Sequence, residues 1–104
     1  MKTLLMTFGL LSMTSTFAAT DCVGVPQATK VGEYGAQEPY LIVTLNNLDF
    51  RLGPSDDASA KARLAVATAA LAANKPVMLR FFYHGDCATA SADRAIPNST
   101  QMLR

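Results

Sequence analysis

From Ser59 to Ala73 the chain carries eight alanines and neither glycine nor proline, and this run constrains the fold more than any other stretch. Alanine loses the least side-chain entropy on entering a helix, so the composition alone predicts one. Ser55, Asp56 and Asp57 precede the run, where a short oxygen-bearing side chain can accept from the free N–H groups of the first turn. At the other end, Asn74 can adopt the left-handed conformation, Lys75 suits the negative end of the dipole, and Pro76 cannot continue the ladder. Ala60, Leu64, Ala67 and Leu71 recur at helical spacing, with Lys61 and Thr68 turned away, so one narrow stripe faces the core.

A strand must follow this helix. PVMLRFFYHGDC places Val77, Leu79, Phe81 and Tyr83 on one face and Met78, Arg80, Phe82 and His84 on the other. Neither face is fully polar, which predicts an inner strand. Small alanines opposite large aromatics let helix and sheet approach closely.

The remaining elements are weaker. Gln27 to Tyr34 reads as a strand ended by Gly35. Tyr40 to Leu45 alternates well, and Leu48, Phe50 and Leu52 resume the pattern after Asn46 and Asn47. Asparagine tolerates positive φ, so this pair predicts a two-residue hairpin turn. Asp49 and Arg51 face outward. After Cys87 the run ATASADRAIPNS reads as a loop, and Thr100 to Arg104 as a short closing strand. The expected fold is α+β, in the order β-β-β-α-β-β. It is a mainly antiparallel sheet or a partly closed OB-like barrel of four to five strands, with one helix on the sheet or plugging the barrel end.

At the N-terminus, MKTLLMTFGLLSMTSTFA combines one lysine, a short apolar run and small residues, the pattern of a secretory signal peptide over 1–18. Thr16 and Ala18 suit cleavage after Ala18, with Ala19 as the next choice. The apolar run is too short and too interrupted for a membrane span, although an uncleaved anchor is the competing reading. Thr20 and Asp21 before Cys22 argue against lipid attachment. Residues 19–104 then form a single exported domain, periplasmic or secreted. Loss of Lys2 leaves the basic residues equal to the eight acidic ones, so no basic footprint points to nucleic acid.

A domain this small has a marginal core without a staple. The chain has two cysteines, Cys22 and Cys87, which in an oxidising compartment allow one internal bridge, worth about 4 kcal/mol on the chain-entropy model. The competing reading makes Cys87 a nucleophile beside His84, since HGDC gathers thiol, imidazole and carboxylate. A metal site at His84, Asp86 and Cys87 is disfavoured by the single histidine and an oxidised cysteine. No GxSxG, HExxH, P-loop or dinucleotide fingerprint occurs, so neither a cofactor nor an enzymatic activity is expected.

The leader, the early strands, the helix ASAKARLAVATAALAANKP, the strand VMLRFFYHGDC ending in cysteine and the short last strand together resemble the small OB-fold B subunits of AB5 toxins. The subtilase-cytotoxin and pertussis-like group is the most similar. The likeness runs from Gln27 to Arg104 in order of elements and is residue-level only in the helix, the next strand and its cysteine. It implies an exported homo-oligomer, a pentameric ring that binds host glycans. No sugar-binding motif aligns residue by residue. Candidate ligand residues follow from chemistry instead: Tyr34, Tyr40 and Tyr83 join a ring to a hydroxyl, and His84 and Asp86 add polar groups in a glycine turn. Of these, Tyr34, Tyr83, His84 and Asp86 form the expected ligand set. The alternative is a small periplasmic inhibitor or immunity-type protein that binds a protein partner.

Overall fold

The computed structural model describes residues 19–32 and 39–104. The leader and Tyr34 lie outside the described residues. Six strands and two helices follow in the order β1 (Thr20–Gly24), β2 (Ala28–Gly32), β3 (Tyr40–Leu45), β4 (Leu48–Pro54), α1 (Ala58–Ala73), β5 (Val77–Phe81), α2 (Cys87–Ala92) and β6 (Ser99–Met102). They make two three-stranded antiparallel sheets, β1-β5-β6 and β2-β3-β4, which do not close into a barrel. The α+β class holds, and β5 is the inner strand of its sheet. Two elements are added to the expected order. The N-terminal arm pairs with β5 as β1, and the segment after Cys87 contains the short helix α2.

Both ends of α1 form as the residue chemistry dictates. Asp57 is extended at the N-cap, and its carboxylate accepts the Ala60 N–H at 2.9 Å. Asn74 ends the helix at φ 57°, where its own N–H reaches the Ala70 and Leu71 carbonyls. Ala60, Ala67 and Ala70 are fully buried, while Leu64 and Leu71 only half-enter the core. The buried stripe is therefore narrower in side-chain size than the Leu positions suggest, because α1 sits close enough to β4 that alanine fills the contact.

That close approach depends on a bulge. Ile42 pairs with Arg51 and Leu41 with Gly53, so Leu52 is the extra residue on β4. Gly53 takes φ 132°, and its missing side chain leaves room for Ala60. The Leu52 carbonyl accepts from Arg63 Nη1 at 2.9 Å, which ties α1 to the bulge. Asn46 and Asn47 both have positive φ, 52° and 66°, as a primed two-residue hairpin requires.

The core lies between the sheets and under α1. Val43, Leu45, Phe50 and Leu52 come from one sheet, and Cys22, Val77, Leu79 and Phe81 from the other. Phe50 and Phe81 join the halves with ring centroids 5.7 Å apart. Cys22 is bonded to Cys87, with Cα atoms 5.7 Å apart. The bridge fastens β1 to the start of α2. Asn46 adds a second tie, its Nδ2 donating to the Val23 carbonyl at 2.9 Å.

Candidate functional site

The turn from Phe82 to Asp86 joins β5 to α2 and gathers the three described residues of the expected ligand set. β5 stops at Phe81, so Tyr83 does not sit on the buried face that simple alternation assigned to it. β1 finishes at Thr20 opposite Phe81, and β6 pairs no further than Ser99 with Arg80. Among the described residues neither neighbouring strand pairs with β5 beyond Phe81, and the chain turns outward.

Tyr83 is 81% exposed and Phe82 46%, and their rings meet edge to face at 6.3 Å. Ile96, 41% exposed, lies on the return loop from α2. The return loop is joined to the turn by Asn98, whose Oδ1 accepts the Phe82 N–H at 2.9 Å. His84 turns inward: its ring stands edge-on to Phe81 at 6.3 Å, and its Nε2 lies 3.2 Å from Asp93 Oδ2 at the end of α2. Asp86 caps α2 by accepting the Thr89 N–H at 2.7 Å. That backbone hydrogen bond is the main reason its carboxyl is held below the ordinary value.

Within the expected set, Tyr83 is exposed, while His84 and Asp86 make the contacts that shape the turn carrying it. Cys87 is in the bridge, so no thiol is available at HGDC. Among the described residues, no three of His, Cys, Asp and Glu gather into a group able to hold a metal ion, and no helix is long and apolar enough to cross a membrane. Tyr40, the other tyrosine considered, lies under the Arg51 guanidinium, 3.2 Å from its ring centroid, on the second sheet. Phe82, Ile96 and Asn98 were not singled out by sequence reasoning. The signal for Phe82 was its place on the outer face of the strand, opposite the core residues.

Two ion pairs stiffen the outer sheet faces. Arg80 makes a two-pronged contact with Asp21, at 2.7 and 2.9 Å, linking β5 to β1. Asp49 accepts from Thr44 Oγ1 at 2.6 Å and faces Lys30 Nζ at 3.0 Å. The hydrogen bond from Arg80 lowers the Asp21 carboxyl, and the bond from Thr44, helped by Lys30, lowers Asp49. A carboxyl that is more acidic folded than unfolded contributes stability above its unfolded value and loses it as pH falls through the folded one. Thermal midpoints should therefore hold down to about pH 4 and fall below it. A midpoint unchanged from pH 7 to pH 2 would show that these carboxylates contribute nothing to the fold.

Comparison with known proteins returns no matching family model, no matching curated protein and no matching solved structure.

Proposed function

We propose that the chain is a small exported, non-enzymatic binding module that presents the Phe82–Tyr83 turn to a glycan, as the likeness to the AB5 B subunits implies. The observation that carries this is the exposure of Tyr83 at the tip of a tethered turn. A ring of tyrosine type offers an apolar face for the C–H side of a sugar and a hydroxyl for its polar edge. Tyr83 is not exposed alone: its ring meets the exposed ring of Phe82, and this adjoining apolar pair supports reading the turn as a recognition element.

A ring assembly is supported by the strand edges. β2 and β6 each end a sheet and carry exposed apolar residues, Val31 and Met102. The other two edges are engaged within the chain. Ser91 Oγ donates to the Asp49 carbonyl and Arg63 to the Leu52 carbonyl on β4, and Asn46 serves β1. Among the described residues no further strand pairs with β2 or β6, and two unlike edges of this kind on one subunit favour head-to-tail contact, which closes into a ring when the rotation permits. Export is supported by the bridge, which forms and persists in oxidising compartments.

The test joins light scattering on the oxidised mature protein to a glycan array. The expected result is a pentamer-sized particle and array signal that Tyr83→Ala abolishes. Stability should move by less than about 0.5 kcal/mol, because Tyr83 leaves the core untouched. A monomer that binds no glycan would overturn the reading. A second reading, an inhibitor that docks on a protein, is favoured by Phe82, whose exposed ring meets Tyr83 edge to face, an apolar neighbour of the kind that borders a protein-binding anchor.

A further inference from the structure

We propose that Asn98 is the positioning residue that holds the Phe82–Tyr83 turn in one shape, so that Tyr83 is presented as a rigid anchor. The inference rests on the binding reading above for its purpose, though not for its geometry.

Pairing between β5 and β6 cannot run past Ser99 unaided. Pro97 has no N–H to donate and its ring is buried, so the chain before Asn98 is committed to the core and closed to the ladder. Asn98 replaces the missing rungs from both ends of one residue. Its backbone N–H donates to the Arg80 carbonyl at 2.7 Å, and its side-chain Oδ1 accepts from the Phe82 N–H at 2.9 Å. These two bonds straddle Phe81, which is buried against Phe50 and the edge of His84. Phe82 is therefore fixed where β5 ends, and Tyr83 follows it by one peptide.

The far end of the turn is held independently. Cys87 is bonded to β1, Asp86 caps α2, and His84 meets Asp93. A five-residue turn pinned at both ends loses little freedom when its exposed aromatic is engaged, which is where preorganised recognition gains affinity. Of the tethers, the Asn98 side chain alone acts on the backbone of the aromatic pair itself. The sequence Pro97-Asn98 supplies both parts of the device: a proline that ends the strand and an amide that stands in for it.

Amide hydrogen exchange on the oxidised mature protein tests this without any ligand. Asn98→Leu keeps the size and removes the acceptor, whereas Asn98→Asp keeps an acceptor oxygen. Asn98→Ala serves as a second acceptor-free variant should the leucine perturb folding. Exchange at Phe82 is expected to quicken about tenfold in the leucine and alanine variants, and to stay within about threefold of wild type in the aspartate variant. The amides of Leu79 and Val43 should keep their wild-type rates in all three. Unchanged exchange at Phe82 without the acceptor would overturn the proposal, as would an equal rise at Phe82 and Val43, which marks general destabilisation. An empty glycan array would sink the binding reading and leave the exchange result standing on its own.

Discussion

Gly53→Ala is expected to lower folding stability by about 2–5 kcal/mol, combining backbone strain with overpacking. Two separable causes act there. At φ 132° an L side chain is strained whatever space surrounds it, and a Cβ built on Gly53 falls 2.8 Å from the Ala60 Cβ. Ala60 belongs to the first turn of α1, which Asp57 caps and Arg63 ties to the bulge, so it cannot retreat without breaking those bonds. The causes can be parted by a double-mutant cycle. In an Ala60→Gly background the clash is gone, and Gly53→Ala should then cost only the strain, about 1–3 kcal/mol. Ala60→Gly alone should cost about 1 kcal/mol for glycine in a helix, and more for the lost packing. Urea unfolding of the four proteins measures the cycle. A loss below about 0.5 kcal/mol for Gly53→Ala would mean that the bulge readily adopts another conformation.

This bulge also shows where sequence reading stops. The helix, the Asn46–Asn47 hairpin and the inner strand were legible because each rests on chemistry within a few residues: a cap, a positive-φ pair, an alternation. β1 was not. In TDCVG only Cys22 enters the core, while Asp21 and Val23 face outward, so no alternation of apolar residues marks a strand. Its partner is β5, far along the chain, and it is the bridge and the Asp21–Arg80 pair that bring the two together. α2 escaped notice for a different reason. Six small residues are too few to show a period, and only Ala90 is buried. Asp86 three positions before Thr89 was the available cue.

At the site, local pattern misled in an informative way. The alternation of Val77, Leu79 and Phe81 continues to Tyr83, and nothing in that stretch signals a stop. The stop is imposed by partners: β1 runs out at Thr20, and Pro97 closes β6. Strand ends set by neighbours are invisible to a one-strand reading, and here that boundary decides whether a tyrosine lies in the core or in solvent. His84 and Asp86 were found as polar groups in a turn, but their partners Asp93 and Thr89 lie in the segment that reads as a loop. Their roles could not be assigned before α2 was known.

Removing the bridge with Cys22→Ala and Cys87→Ala together should cost about 4 kcal/mol at neutral pH, through the longer reach of the unfolded chain. The bridge closes a span of 65 residues, most of the described domain, so its effect on the unfolded ensemble is near the upper end for a chain of this size. Against the modest stability of a small single core, that loss is a large fraction of the whole. For a domain of this length it corresponds to a fall of about 15–30 °C in thermal midpoint. Alanine suits the test better than serine, because Cys22 is 2% exposed among apolar neighbours and a hydroxyl there would add its own penalty. Wild-type protein held reduced should unfold close to the double-alanine variant, since both lack the crosslink. β1 is the element expected to suffer first: it is an edge strand of five residues, held, apart from the bridge, by its pairing with β5, the packing of position 22, the Asp21–Arg80 contact and the Asn46 bond. Hydrogen exchange should therefore show the amides at positions 22 and 23 opening ahead of those of Val43 and Phe50 in the variant, while the oxidised protein opens them together. If the variant loses under about 1 kcal/mol, the unfolded chain is compact enough without the crosslink, and the packing of the two sheets rather than the bridge sustains this fold.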